Sequence, residues 1–244
     1  EKSLESMGEE DFATVLPKLA SVAIESIANI LKISRDSDSG LRSHDFIAGT
    51  VLAEVDAQIS ASHQNAYSPG IPAFFIKNYR VAMEFINRLE DNEPTVSALN
   101  HFYASKHLEV FMKRWNLLAY FSLRSQELAG VVDADLHKPG VDTSLASDGF
   151  LLSATTQIWL TTKKCMSDDF FVPALADKFI RLFAQVLSRY RSWVNSGIES
   201  LSLQHNTDDK VEDSSNIMSS TSSWGSTAGG DELILVRLDI EKLC

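Results

Sequence analysis

The sequence predicts an all-α protein whose helices pack as an antiparallel bundle or rod. Apolar residues recur at intervals of three and four along most of the chain, which is the period of an amphipathic helix. No proline or glycine occurs from Thr95 to Ala129, so long helices can form without a break. Of the 244 residues, 44% are hydrophobic and 23% are charged, a balance that is typical of a soluble protein with a substantial core.

The first predicted helix lies near the start of the chain and carries a single apolar stripe. The stripe consists of Phe12, Leu16, Leu19, Ala23, Ile27 and Ile30. Pro17 either kinks this helix or begins it, because an α-helix tolerates proline only in its first turn. We expect a second helix from Ser43, a good N-cap residue, to about His63.

Three apolar segments follow a turn at residues 67–72. The first carries Phe75, Tyr79, Met83, Ile86 and Leu89 and should end near Asp91–Asn92. The second begins at Pro94 and keeps its helical period as far as Met112. The third begins near Leu117 and breaks at residues 138–140, where proline and glycine follow a lysine.

The last two long helices are predicted over Phe150 to about Cys165 and Phe170 to about Asn195. The second has the clearest pattern, with Phe171, Leu175, Phe179, Leu182, Phe183, Val186, Tyr190 and Trp193 on one face. Asp168 and Asp169 stand at its expected start, where negative charge complements the helix dipole. Gly197 follows its expected end and supplies a stop.

The composition changes near residue 198. From residue 199 to residue 232 there are seven acidic residues and one lysine, together with a serine-rich run. Such a segment buries too little apolar surface to offset the entropy of ordering it. Residues 198–230 are therefore predicted to be a disordered, acidic, serine-rich linker.

The predicted domain organisation follows from these segments. Residues 1–197 form a helical bundle, which can divide into sub-bundles over 1–66 and 70–197. Residues 231–244 begin a further element, whose pattern fits a helix or a strand. The chain begins with Glu1 rather than methionine, so we expect a fragment or a processed product.

Charge and cysteine content exclude several classes of protein. The formal net charge of −11 and the absence of a basic run argue against nucleic-acid binding, which needs phosphate neutralisation. The only cysteines are Cys165 and Cys244, too few for a disulfide framework or a cysteine-built zinc site. Lys18, Glu25 and Asn29 interrupt the apolar stretch from Val15 to Ile33, so we expect no membrane-spanning segment.

No motif for catalysis is present. A glycine-rich phosphate loop, an H-x-x-x-H zinc pair and a G-x-S-x-G elbow are all missing. Asp168 and Asp169 could form an acid–base pair, but a helix start explains them better. Cys165 with His101 or His107 could form a nucleophile and base, although no spacing brings them together. We predict no catalytic, cofactor-binding or metal-binding residue, no cofactor, no small-molecule substrate and no enzymatic activity.

Two basic clusters and the aromatic stripes remain as candidate contact surfaces. Residues 113–115 and 161–164 could contact anionic lipid headgroups, but each has only two adjacent basic residues, fewer than such recognition usually needs. The aromatic stripes either pack between helices or dock the helix of a partner. The sequence leaves that alternative open.

Three stretches resemble the signature of a known family. Phe111–Gly130 is similar to the pattern W-N-L-P-V-Y-F-Q-x-R-F-x-E-I-A. Residues 165–190 are similar to C-W-S-D-E-x-F-L-P-x-L followed by R-x-x-x-Q-x-L-x-R-Y, and Leu235–Leu243 resembles V-x-x-D-L-D-K-L. These patterns belong to subunit 2 of the conserved oligomeric Golgi complex, and the chain resembles the middle to C-terminal part of a plant-like member.

The chain departs from this signature at three positions. Leu118 stands where the family has proline, Ser125 where it has phenylalanine, and Met166 where it has tryptophan. Without that proline a helix can continue through Leu118, so a break at Asn116 is no longer required.

The resemblance implies a non-enzymatic helical subunit of a multisubunit tethering complex. Such a complex captures vesicles for intra-Golgi retrograde transport and maintains Golgi organisation. The implied partners are subunits 1, 3 and 4 of the same lobe, in a hetero-oligomer. The implied location is peripheral, on the cytosolic face of the Golgi membrane, with attachment through partners.

Two alternatives come from other classes of protein. A general α-helical scaffold or solenoid would show helix pairs of equal size that stack regularly. A helical enzyme would show a pocket that gathers Asp168, Asp169, His101 or Cys165.

Overall fold

The structure is a computed structural model that describes residues 11–34, 45–93, 95–138, 140–208, 224 and 230–243. Within these ranges the regular structure is entirely helical, without a strand, which confirms the predicted all-α class. The chain divides into two compact units, Glu1–Tyr120 and Phe121–Cys244. We call them unit 1 and unit 2. The division falls inside a helix, whereas the sequence suggests a possible boundary between residues 66 and 70.

In the part that the structure describes, unit 1 contains five α-helices and the start of a sixth. They are α1 (Phe12–Ser34), α2 (Ala53–Ser62), α3 (Pro72–Glu90), α4 (Val96–Tyr103), α5 (Lys106–Lys113) and α6 (Leu117–Leu136). A π-helical turn over Ile47–Leu52 leads into α2, and a 3₁₀ turn over Gln64–Tyr67 follows it. Unit 1 ends at Tyr120, within α6.

The start of unit 1 differs from the expectation in two respects. Pro17 lies inside α1, so it does not begin the helix. The expected N-cap, Ser43, lies outside the described residues. The chain instead enters its π-helical turn after Asp45, whose carboxylate accepts a hydrogen bond of 2.8 Å from the Ala48 amide. A side chain three residues before an unpaired amide satisfies that amide as an N-cap does.

The predicted stripe of α3 is confirmed, because Phe75, Tyr79, Ile86 and Leu89 are buried. The stripe of α1 is buried only in its first half, and Ile30 is 41% exposed. The segment predicted to continue to Met112 is two helices, since a turn separates α4 from α5. The Ser105 hydroxyl accepts a hydrogen bond from the Leu108 amide at 3.2 Å and thereby begins a new helix.

One described helix, over Phe12–Ile33, has the length and apolar composition of a membrane span. The expectation that no segment reaches that composition is therefore wrong. Core helices of soluble proteins also meet this criterion, and Phe12, Leu16 and Ala20 of α1 are buried within the protein. Several large apolar residues further along α1 are exposed, including Val22 at 63% and Ile33 at 56%.

The described residues of unit 2 form the rest of α6 and three further α-helices. They are α7 (Ser153–Cys165), α8 (Ala176–Asp208) and α9 (Gly230–Leu243), with a 3₁₀ turn over Pro173–Leu175 before α8. The segment that fits either a helix or a strand is thus the helix α9. The main core cluster of the unit consists of Val132, Leu152, Ile158, Val186, Tyr190, Val194, Trp224 and Val236.

Helix α8 begins later than the sequence predicts. It starts at Ala176 rather than at Phe170, and Asp168 and Asp169 lie in the turn after α7. The expectation that these two acids begin α8 is therefore wrong. The reason is Pro173: the residue before a proline avoids the helical conformation, and Val172 is extended, with φ −120° and ψ 117°.

Helix α8 also ends later than predicted. It passes through Gly197 and continues to Asp208, so the stop at Gly197 is wrong and residues 198–208 are helical. Gly197 is buried beside the ring of Trp224, and the glycine serves packing rather than termination. Residues 209–223 and 225–229 of the predicted linker lie outside the described residues.

Candidate functional site

The Cys165 thiol lacks the properties of a catalytic nucleophile. It is buried without exposed surface, and burial raises its pKa to about 11. A reactive cysteine needs a depressed pKa, because the thiolate is the nucleophile. Cys165 belongs to unit 2, whereas His101 and His107 are exposed on the short helices α4 and α5 of unit 1.

The two acids after α7 have different surroundings. The Asp169 carboxylate accepts a hydrogen bond of 2.6 Å from the Ser167 hydroxyl, and this bond lowers the pKa of Asp169. A general acid at neutral pH needs a raised pKa, whereas the pKa of Asp169 is shifted in the opposite direction. Asp168 is exposed. Across the described part of the chain, no group of His, Cys, Asp and Glu residues could hold a metal ion.

A cavity of ≈ 730 Å³ opens in unit 1. Its lining includes Phe12, His63, Ala66, Ile71, Phe74 and Asn78. None of the four residues that would indicate a helical enzyme lines it. The cavity is a gap between the starts of α1 and α3 and the end of α2. Ser62 lines it beside His63, and the exposed Ser62 hydroxyl lies 2.7 Å from the Nδ1 atom of His63.

The first two signature stretches meet in unit 2. The Arg124 guanidinium of α6 lies over the ring of Phe170 at 4.7 Å, and Phe170 is fully buried. The Glu127 carboxylate accepts hydrogen bonds from Arg124 at 2.7 Å and from Lys164 at 2.6 Å. Burial raises the pKa of Glu127, but these two cationic donors outweigh burial and the pKa is lowered. The signature residues Arg124 and Glu127 thus attach α6 to the end of α7.

The first signature stretch also fixes the start of α6. The side-chain oxygen of Asn116 accepts a hydrogen bond from the Ala119 amide at 3.0 Å, which is the geometry of an N-cap. The break before α6 therefore persists although Leu118 replaces the proline of the family. Next to it, Trp115 is 4% exposed and packs edge-on against Phe75, with ring centroids 5.6 Å apart.

The third signature stretch attaches α9 to α7. Asp239 is only 1% exposed, and its carboxylate accepts hydrogen bonds from the amides of Leu151 at 2.7 Å and Leu152 at 2.8 Å. Leu152 is the residue that precedes α7, so Asp239 supplies a cap from a distant helix. Nothing in the apolar period of the chain predicted this role for Asp239. The signal for it in the sequence was an aspartate three residues after Val236, and therefore on the same helical face as that valine.

The outward side of α7 is an exposed apolar stripe, which we call the α7 stripe. It consists of Trp159 and Leu160 of α7 and of Met166 directly after the end of this helix, which are 38%, 40% and 44% exposed, with Lys163 between them. The opposite side of α7 is buried, as Ile158 and Cys165 show. Among the described residues of α7, the stripe is the part available to another protein.

Comparisons with known proteins agree with the signature. The model of the family described as "COG complex component, COG2, C-terminal" matches residues 113–244. The conserved oligomeric Golgi complex subunit 2 of Arabidopsis thaliana is 38% identical over 174 residues, which are 69% of this chain and 23% of that protein. The human protein of that name is 29% identical over 163 residues, or 67% of this chain and 22% of the relative.

The Drosophila melanogaster protein of the same name is 21% identical over 195 residues, which cover 78% of this chain and 27% of the relative. The chain therefore spans about a quarter of the length of these relatives. No solved structure gives a significant match. Because the family model covers more than half of the chain, and the quoted signature lies mostly inside that region, the chain belongs to the COG2 C-terminal family of COG complex components.

Proposed function

We propose that the chain is a non-enzymatic part of a Golgi vesicle-tethering subunit, which docks to other subunits through exposed helix faces. Membership of the COG2 C-terminal family supports the general role. The finer role is intra-Golgi retrograde transport and Golgi organisation, with the protein held peripherally on the cytosolic face of the membrane. The partners are subunits 1, 3 and 4 of the same complex, and they supply the attachment to the membrane.

The α7 stripe is the observation that carries the docking proposal. Tryptophan contributes a large rigid surface and is enriched among residues that dominate binding energy. Methionine adapts its shape to a partner at little cost. Trp159 is held by the neighbouring Phe150, with ring centroids 6.0 Å apart, so part of its conformational entropy is lost before binding. A partner helix with an apolar face and an acidic residue opposite Lys163 fits this stripe.

The chemistry of the polar groups supports a role without catalysis. The Cys165 thiol is buried with a raised pKa, and the Asp169 carboxylate has a lowered pKa. Both shifts oppose the roles that the enzyme alternative assigns to these residues.

The test is a binding experiment with the 244-residue chain as bait. We expect tagged bait to recover subunits 1, 3 or 4 when each is co-expressed with it. Replacement of Leu160 by aspartate should reduce recovery at least tenfold, because it places a charge in the α7 stripe. The matched control is Val96→Asp on α4, which changes a 76% exposed valine outside the family match and should leave recovery unchanged.

Circular dichroism on each variant establishes that the bait is folded. A folded bait that recovers none of the three subunits contradicts the proposed partners. Equal recovery by the Leu160→Asp variant contradicts the α7 stripe as the docking surface.

A general helical scaffold is the second candidate, and a solenoid is its most specific form. Equal stacking of repeats requires helices of similar length. The helices described range from 8 residues in α4 to 33 residues in α8, and this variation does not favour a solenoid. Recovery of proteins unrelated to the tethering complex would favour the scaffold.

A further inference from the structure

Trp224 is a buried aromatic residue in a part of the chain whose composition predicts disorder. It is 1% exposed and belongs to the core cluster of unit 2. Its neighbours in that cluster include Tyr190 and Val194 of α8 and Val236 of α9. A single large side chain from the serine-rich segment thus lies where α8 and α9 share a core.

The space for this indole exists because residue 197 is a glycine. A Cβ on Gly197 would overlap the Cε2, Nε1 and Cζ2 atoms of Trp224. Glycine in the interior of a helix makes that helix less stable than alanine does, and α8 continues well beyond this position. The packed indole explains why a helix of this length contains a glycine there.

The site also has a specific polar partner for an indole. The Nε1–H group of Trp224 donates a hydrogen bond of 3.0 Å to the backbone carbonyl of Trp193. A carbonyl oxygen has two lone pairs, so it can accept this bond in addition to the helical bond from residue 197. The rings of Trp193 and Trp224 lie 5.4 Å apart at 39°. The ring of Trp193 supplies a flat surface, Gly197 leaves space because it has no Cβ, and the Trp193 carbonyl accepts a hydrogen bond. Together these features match the shape and chemistry of an indole.

We propose that Trp193, Val194 and Gly197 form an indole-binding socket on α8, and that its occupant is Trp224 of the same chain. Occupation of the socket completes the core against which Val236 of α9 packs. The socket therefore fixes the position of Trp224 and, through the shared core, holds α9 in place. This inference is independent of the proposed function, because it concerns contacts within unit 2 alone.

The direction in which a glycine-to-alanine substitution shifts the melting temperature tests the socket. At an unobstructed helical glycine, alanine should raise the melting temperature by about 2–4 °C, because it gains helix propensity. Gly130 of α6 is the matched control, since a Cβ there meets nothing within 4 Å. Gly197→Ala should instead lower the melting temperature, by roughly 5–10 °C, because its methyl group expels the indole.

The same substitution in a Trp224→Ala background gives the decisive comparison. Without the indole, Gly197→Ala should become stabilising, like Gly130→Ala in the same background. This reversal of sign is the coupling that a double-mutant cycle measures. It can be read even if the single Gly197→Ala variant folds poorly.

A direct measurement of burial completes the test. In protein labelled with 5-fluorotryptophan, Trp224→Phe identifies the ¹⁹F resonance of residue 224. That resonance should show no solvent isotope shift in the parent protein or in Gly130→Ala, and a full shift in Gly197→Ala. The inference is overturned if the parent resonance is solvent-exposed, or if Gly197→Ala stabilises the protein as Gly130→Ala does.

Discussion

Asp239 shows how one buried carboxylate connects two helices that lie far apart in the sequence. Its two oxygens each accept one amide hydrogen bond at the start of α7. Nearby, the Lys242 ammonium donates to the Asp148 carbonyl at 2.9 Å and lies 4.9 Å from the centre of the Phe150 ring. Two polar residues of α9 thus hold the loop that leads into α7.

Replacement of Asp239 by alanine should destabilise the protein by about 2–3 kcal/mol, because it leaves two amides without an acceptor in a buried setting. Urea unfolding monitored by circular dichroism measures this loss. The control is Asp231→Ala, which removes an exposed acid from the first turn of the same helix and should change stability by less than about 0.5 kcal/mol. Equal effects of the two changes would refute the capping role.

Cys165 makes the stability of the protein sensitive to alkaline pH. Its pKa in the folded protein, about 11, lies above the ordinary value of 9.0. The protonated thiol therefore favours the folded state, and this contribution is complete below pH 9 and is lost as the pH rises towards 11. The free energy of unfolding should fall more steeply over this range in the parent protein than in Cys165→Ala. Parallel curves would contradict the raised pKa.

At the scale of the element, short polar contacts decide where the helices of this chain begin and end. Asn116 begins α6 with a side-chain cap, Ser105 begins α5 in the same way, and Pro173 delays the start of α8. The apolar period continues across all three positions. Periodicity therefore identifies the helical segments, and caps and prolines divide them.

The family's proline at position 118 should be compatible with this structure. Leu118 is the second residue of α6 and is 60% exposed, and first-turn amides have no helical partner to lose. Leu118→Pro should therefore change the free energy of unfolding by less than about 1 kcal/mol. Leu123→Pro, inside the same helix, should cost about 3 kcal/mol or more. Thermal unfolding of both variants tests this, and a large loss for Leu118→Pro would place the start of α6 elsewhere.

At the scale of the whole molecule, charge and exposed surface determine which partners are possible. The chain has a formal net charge of −11 and a pI near 5.0, which disfavours anionic lipid surfaces. Its family relatives are several times longer, so their length provides many further surfaces. The proposed attachment through protein partners fits this negative net charge better than direct binding to an anionic membrane.

The 244-residue protein should remain in the supernatant when it is sedimented with vesicles that contain phosphatidylserine at low salt. Val22 and Ile33 of α1 are more than half exposed, and they are the residues that would contact lipid if this prediction fails. If the protein co-sediments, the control is a variant with Val22→Asp and Ile33→Asp. Loss of co-sedimentation in that variant would show that α1 binds lipid directly.

Much of the fold was accessible from the sequence because an amphipathic helix needs only local information. The periods around Phe75 and Tyr190 identified α3 and α8, and the quoted signature identified the family. The candidate site was less accessible. The α7 stripe looks like any apolar helical pattern, since periodicity shows which residues share a face and not whether another helix covers that face.

The sequence by itself determined that the protein is helical, acidic and related to COG2, since composition, period and signature residues are local properties. Only the tertiary structure decided which apolar faces are covered, and that α8 passes through Gly197. A glycine often ends a helix because it has low helix propensity and readily adopts the left-handed conformation of a C-cap. Here the ring of Trp224 packs against Gly197 from a distant part of the chain, and a contact between such distant residues leaves no mark in local periodicity.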